Sequence, residues 1–219
     1  RDGQPLPQMM MGLGAGSIIV NGEGRRFMHG GYTYNDFPKV FGNFDHRHPG
    51  LRNKPPAWVI FGAKVKERQN ILTMRPGEPA PDWLAQAPTI RELAVAIDVD
   101  PDTLVATVER FDQYAEAGED PEWGDPGGST WGTGGAGPIE PLGPGPYYAI
   151  QQWPASLGTN GGCRINEHGQ VLGHRREIID GLYAAGNTSA TVLGGAYVGG
   201  GAPIADTAEG IATDSSWLP

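Results

Sequence analysis

Residues 181–206 place a glycine-rich loop between a short apolar strand and the start of a helix. Leu182–Ala185 predicts the strand, and a proline at 203 suits a first helical turn. The glycines at 199–201 lack a Cβ, so the backbone there can lie against a flat ligand. The free N–H groups of a helix start favour negative charge in front of them. This order of elements predicts a ligand-binding loop built largely from backbone.

The composition limits the class of protein. The chain has 35 Gly and 20 Pro among 219 residues, without periodicity and with apolar segments between them, which indicates a loop-rich globular protein. A net charge of −9 without a basic stripe argues against nucleic-acid binding. No apolar run approaches the roughly 20 residues of a membrane helix. The single cysteine, Cys163, suits a reducing compartment, so we expect a cytoplasmic protein. The five histidines show no metal-ligand spacing, so we expect no metal site.

The pattern of apolar residues predicts an α+β domain over the first part of the chain. Thr89–Glu92 forms a capping box at the start of one helix, and Asp100–Pro101 begins a longer one that ends near Gly118. Strands are predicted at residues 17–21, from 25, 57–61, 147–150 and 178–185, with a hairpin over 164–171.

Several motifs together resemble one family. They are the strand–turn–Arg-Phe opening at 17–27, the stretch Phe111–Gly124 with its Gly-x-Asp, the Gly-Thr-Asn-Gly-Gly turn at 158–162, and Tyr-Val-Gly-Gly-Gly at 197–201. The chain resembles the FAD-dependent fumarate reductase/succinate dehydrogenase flavoproteins over roughly residues 16–211. Within them it is most similar to the 3-ketosteroid Δ1-dehydrogenase branch, which implies FAD as the cofactor.

The resemblance implies two domains. Residues 1–153 correspond to a substrate domain, and residues 154–219 to the C-terminal part of an α/β Rossmann-like FAD domain. Such enzymes hold the ADP end of FAD with a Gly-x-Gly-x-x-Gly motif in an N-terminal half, and this chain lacks that motif. We therefore expect that half as a second chain or as a preceding part of the protein, together with an electron acceptor as a partner.

The resemblance also implies how a ketone is bound. The matching tyrosine hydroxyl and the N–H of the last loop glycine hold the ketone oxygen, which assigns these roles to Tyr197 and Gly201. Two donors aimed at a carbonyl oxygen favour enolate character and so acidify the neighbouring C–H. The β hydrogen then passes as hydride to flavin N5.

A base is implied at Tyr34, which follows Phe27 by the same offset as the proton-abstracting tyrosine of the ketosteroid branch. Tyr32 is the alternative if the register differs by two residues. Fumarate reductases carry an arginine at this offset. Residues 186–206 contain no cationic side chain, which favours a neutral, apolar ketone over a dicarboxylate.

The remaining implied contacts are with the flavin. Asn187 can bond the ribityl hydroxyls, and the helix-start N–H groups can face the pyrimidine edge of the ring. The predicted cofactor-binding residues are Gly161, Gly162, Gly186, Asn187, Ala202, Ile204 and Ala205.

The sequence thus predicts a flavin-dependent 1,2-desaturation of a cyclic or steroid-like ketone, carried out by one half of a two-part enzyme. Two alternatives stay open. The first is an ene-reductase of the fumarate-reductase type, which runs the reaction in reverse. The second is a noncatalytic partner subunit. Flavin absorbance of the purified protein separates the enzymes from the subunit.

Overall fold

The computed structural model describes residues 13–28, 40–41, 53, 55–122, 139–155 and 161–190. The chain divides into two compact units, Arg1–Ala155 and Ser156–Pro219. The assignment of a substrate domain to 1–153 and of an FAD-domain segment to 154–219 stays a prediction.

The first unit is built on an antiparallel sheet of five strands. The strands are β1 (Ser17–Val20), β2 (Arg26–Met28), β3 (Ala57–Gly62), β4 (Ala85–Ala87) and β5 (Tyr147–Gln152), in the order β2-β1-β3-β5-β4. Four of them are confirmed sequence predictions. β4 was not predicted, because the three residues Ala-Gln-Ala are too few for an alternating apolar pattern to be recognised.

Side chains alternate across this sheet, and each face has its own core. On β3, Ile60 points to the face covered by helices α2 (Ile90–Ala96) and α3 (Pro101–Ala117). Phe61 points to the opposite face, where the short helix α1 (Ala63–Arg68), through Val65, and irregular segments supply the cover. Helices packed on an antiparallel sheet make this unit α+β, as expected.

Both predicted helix starts are confirmed. Thr89 precedes α2, and its Oγ1 accepts a hydrogen bond from the Glu92 N–H at 3.1 Å. Asp100 precedes α3, and its Oδ1 accepts from the Thr103 N–H at 2.8 Å. α3 ends at Gly118 in the left-handed conformation that suits a glycine. The short helix α1 (Ala63–Arg68) was not predicted, since it follows β3 directly and has no side-chain cap.

The described part of the second unit contains a two-stranded antiparallel sheet of β6 (Gln170–Leu172) and β7 (Ile178–Tyr183). The predicted turn within 164–171 is present, because the Asn166 N–H donates to the Gln170 carbonyl at 3.1 Å. The pairing of β6 with β7 was not predicted. All of β7 is exposed, including its large apolar side chains.

Candidate functional site

Two of the predicted flavin segments lie side by side. The Cys163 N–H donates to the Thr188 carbonyl at 3.0 Å, and the Ala190 N–H donates to the Cys163 carbonyl at 2.7 Å. Cys163 thereby forms a parallel bridge with Ser189. The structure therefore brings residues 161–163 next to residues 186–190, although they are far apart in sequence.

The two glycines at the start of this bridge differ in their surroundings. A Cβ on Gly162 would lie 2.1 Å from the Thr188 carbonyl oxygen, so only glycine lets the two segments approach this closely. A Cβ on Gly161 would meet nothing within 4 Å. Gly162 thus has a packing reason of its own to be a glycine, whereas Gly161 presents open backbone to solvent.

The chain turns sharply where β7 leads into the predicted cofactor loop. β7 ends at Tyr183, two residues earlier than the predicted strand end, and residues 186–188 form a 3-10 turn. Gly186 has a φ of 58°, which a glycine adopts without strain. Its carbonyl accepts both the N–H and the hydroxyl of Ser189, at 3.1 and 2.9 Å. Asn187 lies within this turn, directly beside the Cys163 bridge.

The other predicted site residues lie outside the described residues, and their roles stay predictions. They are Tyr34, its alternative Tyr32, Tyr197, Gly201, Ala202, Ile204 and Ala205.

The residues that flank segment 29–39, which contains Tyr34, are described. Phe27 and Phe41 make an edge-to-face contact, with ring centroids 5.5 Å apart and an interplanar angle of 76°. Both rings are buried, as is Met28. The chain therefore leaves the sheet at the end of β2, and at Phe41 it again lies beside that strand.

A chain of buried amides fixes the returning end. The Asn53 Nδ2 donates to the Val40 carbonyl at 3.3 Å, and its Oδ1 accepts from the Asn21 Nδ2 at 3.2 Å. Asn21 Oδ1 in turn accepts from the N–H groups of Glu23 and Arg25, each at 3.0 Å. The turn between β1 and β2 is thus linked to the backbone at Val40.

A buried ion pair lies at the departing end. The Arg26 guanidinium makes two parallel bonds to Asp120, Nη1–Oδ1 at 3.1 Å and Nη2–Oδ2 at 2.5 Å. The side chains are only 5% and 2% exposed. The guanidinium also lies 4.7 Å from the Phe111 ring centroid and 3.5 Å from a Glu122 carboxylate oxygen. Sequence analysis singled out the Arg-Phe and Gly-x-Asp motifs but did not predict that they pair. The one signal for this pairing was that both motifs belong to the same family resemblance.

Among the described residues, no helix is long and apolar enough to cross a membrane. In the same ranges, no group of three or more His, Cys, Asp or Glu side chains is placed to bind a metal ion.

Comparison with known proteins identifies the family. The model of the FAD binding domain family matches residues 7–204. The chain therefore belongs to the FAD binding domain family, and its cofactor is FAD.

Individual relatives have more specific names than the family. The chain is 36% identical to 4-oxocyclohexanecarboxylate 2-dehydrogenase of Sinomonas cyclohexanicum, over 93% of this chain and 37% of that enzyme. It is also 36% identical to a 3-oxosteroid 1-dehydrogenase of Mycobacterium tuberculosis, over 86% of this chain and 36% of that enzyme. The fold matches the 3-ketosteroid Δ1-dehydrogenase of Sterolibacterium denitrificans with a TM-score of 0.73 and 29% identity, covering 90% of this chain and 37% of that one. The chain thus spans little more than a third of the length of these relatives.

One described stretch of backbone suits an FAD site. Gly161 exposes backbone without a Cβ and with no atom within 4 Å of the Cβ position, and the bridge at Cys163 places the turn at 186–188 beside it. A flat ring system can approach such a backbone closely, and main-chain groups can bond its polar edge.

Proposed function

We propose that the chain is the substrate-binding and flavin-closing part of a dehydrogenase that introduces a carbon–carbon double bond beside the ketone of a cyclic or steroid-like substrate. One observation carries the proposal: relatives that match more than four fifths of this chain are named dehydrogenases of ring ketones. The motif positions of a ketone-binding tyrosine, a loop glycine and a tyrosine base are all filled in this sequence.

In this proposal three residues act on the substrate. The Tyr197 hydroxyl and the Gly201 N–H donate to the ketone oxygen and stabilise the charge that develops on it. Tyr34, as its phenolate, accepts the proton from the α carbon. An unperturbed phenol has a pKa near 10 and is protonated at neutral pH, so the surroundings of Tyr34 must favour the phenolate, and the acidification of that C–H by the two donors makes the transfer easier. When bound, FAD supplies the acceptor for the β hydrogen.

The recognised group is the ring ketone. Residues 186–206 contain no cationic side chain, which supports a neutral ligand near the loop. The Sinomonas relative is named for a cyclohexane that also carries a carboxylate, whereas the Mycobacterium relative is named for a steroid. Both names describe a substrate with an oxo group. In one the oxo group is on a six-membered ring, and in the other it is on a ring system that contains such a ring.

The proposal includes a partner. FAD binding needs the Gly-x-Gly-x-x-Gly half, which we place in another part of the protein or in a second chain. The exposed apolar side chains of β7 support a missing neighbour, because a two-stranded sheet is only marginally stable alone. An electron acceptor must then reoxidise the flavin. The exposed free thiol of Cys163 supports a reducing, cytoplasmic location.

Replacement of Tyr197 by Phe tests the ketone-binding role in protein that contains both parts and FAD. Loss of one oxyanion donor should lower kcat for desaturation by about 10²–10³-fold, with flavin absorbance retained. Turnover is measured with an artificial electron acceptor, on a 3-oxosteroid and on 4-oxocyclohexanecarboxylate. Tyr114→Phe removes a hydroxyl from α3 and serves as the matched control, with no expected change. Full turnover of Tyr197→Phe on both ketones would contradict the assignment.

A further inference from the structure

We infer that Ser189 is a positioning residue for FAD: its buried hydroxyl closes the turn at residues 186–189 and so fixes the backbone edge that faces the flavin. This flavin edge consists of Gly161 and the turn at 186–188, which the bridge at Cys163 places side by side. The inference deepens the proposed function and rests on it, because the flavin-closing role of this segment belongs to that proposal.

Ser189 is buried, although the residue before it is exposed. Its side chain is only 2% exposed, and it is the one buried polar side chain among the residues of the second unit whose burial the structure describes. A buried hydroxyl costs stability unless it makes a hydrogen bond. Here the hydroxyl donates to the Gly186 carbonyl at 2.9 Å. Because a hydroxyl has one hydrogen to donate and this one is used inside the turn, Ser189 acts on the turn and not on a ligand.

Both donors of Ser189 meet on one carbonyl. The Gly186 carbonyl accepts the hydroxyl and, at 3.1 Å, the N–H of the same residue. A carbonyl oxygen has two lone pairs, so both are occupied within the turn. Glycine has more backbone freedom than any other residue, and a turn that begins on Gly186 therefore depends on such bonds to keep one shape.

The backbone on both sides of Ser189 is bonded to the other segment of the flavin edge. The Cys163 N–H donates to the Thr188 carbonyl at 3.0 Å, and the Ala190 N–H donates to the Cys163 carbonyl at 2.7 Å. Gly162 makes room for this pairing, because a Cβ there would overlap the Thr188 carbonyl. Closure of the turn at Ser189 therefore also sets the place of the segment that begins at residue 161.

A fixed edge matters because backbone groups cannot be replaced by a longer side chain that reaches for the ligand. Groups that become ordered only on binding lose conformational entropy at that moment, and this loss weakens the affinity. A turn that is already closed avoids the loss. We therefore expect Ser189 to act on the affinity for FAD and on the surroundings of the bound ring.

The test compares Ser189→Ala with the natural chain in protein that contains both parts. FAD is removed and titrated back, and its dissociation constant follows from the change in flavin fluorescence. We expect this constant to rise by about 2–10-fold, because one hydrogen bond that holds the edge is lost. In the FAD-bound protein the Cys163 and Ala190 amides should exchange their hydrogens faster, and the visible circular dichroism of the flavin should change.

Two glycine variants separate the position of the edge from its contact with the ring. Gly162→Ala should raise the dissociation constant by about tenfold or more and speed exchange at the same amides, because the new Cβ forces the bridge apart. Gly161→Ala should leave these amides unchanged, since a Cβ there meets nothing within 4 Å, and still weaken FAD binding, since the methyl group stands where the ring lies. Ser189→Ala removes a single atom and keeps the experiment decisive if Gly162→Ala does not fold.

Thr89→Ala is the matched control. It removes a hydroxyl that accepts a hydrogen bond from the Glu92 N–H, at 3.1 Å, in the first unit. The variant should lose stability as Ser189→Ala does and leave the dissociation constant of FAD unchanged. An equal rise of that constant in both variants would show a general loss of stability and would overturn the inference.

The remaining outcomes are equally distinct. Unchanged FAD affinity in Ser189→Ala, with or without faster amide exchange, would contradict the positioning role. Normal FAD affinity of Gly161→Ala would show that the flavin does not lie on this edge. None of these measurements uses a ketone. Full turnover of Tyr197→Phe would therefore overturn the proposed ketone site and leave Ser189 in its role, whereas unchanged FAD affinity in Ser189→Ala would leave the proposed reaction intact.

Discussion

Asp112 on α3 is a half-buried carboxylate that ties the helix to the chain leading into β5. Its Oδ1 accepts a hydrogen bond from the Leu142 N–H at 2.8 Å. Burial raises the pKa of Asp112, the Leu142 hydrogen bond opposes the rise, and the nearby Glu116 adds to it. The Asp112 side chain thus has two opposite effects on stability. Its hydrogen bond stabilises the loop, whereas the partial burial of its negative charge destabilises the folded protein.

Replacement of Asp112 by Asn should separate these two effects. The pKa of Asp112 in the folded protein lies above its usual 3.8, so the ionised form is disfavoured by folding at neutral pH. This cost disappears as the pH falls through the folded pKa towards 3.8. An asparagine keeps an acceptor for the Leu142 N–H without the charge.

Asp112→Asn should therefore gain stability relative to the natural chain at pH 7, and the gain should shrink towards pH 4. Denaturant unfolding at pH 7, 5 and 4 measures this trend. Glu109→Gln, an exposed carboxylate on the same helix, is the control. A gain that grows as the pH falls would contradict the direction of the pKa shift.

At the scale of the element, α2 owes its stability to packing. A helix of seven residues is too short to persist alone in water. Leu93 is fully buried in the core shared with α3, whereas Val95, two positions further along, is 68% exposed. The helix is therefore held by one apolar face and by its Thr89 cap.

Leu93→Ala should lower the free energy of unfolding by about 2–5 kcal/mol, because it leaves a cavity in that core. Val95→Ala should change it by no more than about 0.5 kcal/mol, since the side chain is exposed. Equilibrium denaturation of the two variants measures the difference. Equal losses would show that α2 does not pack as described.

At the scale of the whole molecule, β7 is the most unusual surface described. The neighbours Ile178 and Ile179 project from opposite sides of the strand, as do the neighbours Leu182 and Tyr183, and the exposed fractions of these four side chains run from 42% to 56%. Apolar side chains on both faces are typical of a strand covered on both sides. The relatives are longer than this chain. The pattern supports the proposal that the part of the protein equivalent to the rest of their length packs on β7.

Leu182→Asp and Ile179→Asp should therefore weaken the joining of the two parts and lower the FAD content by at least about tenfold, since a charge would be buried at that interface. Flavin absorbance per mole of purified protein and size-exclusion chromatography measure the effect. Val95→Asp places the same charge on an isolated exposed site and should leave both unchanged. Normal FAD content in the two β7 variants would contradict the role of β7.

Local signals in the sequence were sufficient to predict the helix ends and strands that have a clear residue pattern. Thr89, Asp100 and Gly118 marked helix ends, and short continuous apolar runs marked β1, β3 and β5. These features depend on neighbours within a few residues, so one sequence carries them. The resemblance carried by several motifs along the chain implied FAD, which the family match confirms.

Only the tertiary structure decided which distant residues meet. Arg26 pairs with Asp120, Asn53 bonds Val40, and Cys163 pairs with Ser189 across long separations in sequence. The packing glycine at 162 likewise needs the carbonyl of Thr188 to explain it. Such pairings are set by the order of strands and the cover on each face, which a local pattern does not contain. The sequence by itself determined the kind of protein, and the fold decided which distant side chains and backbone groups meet.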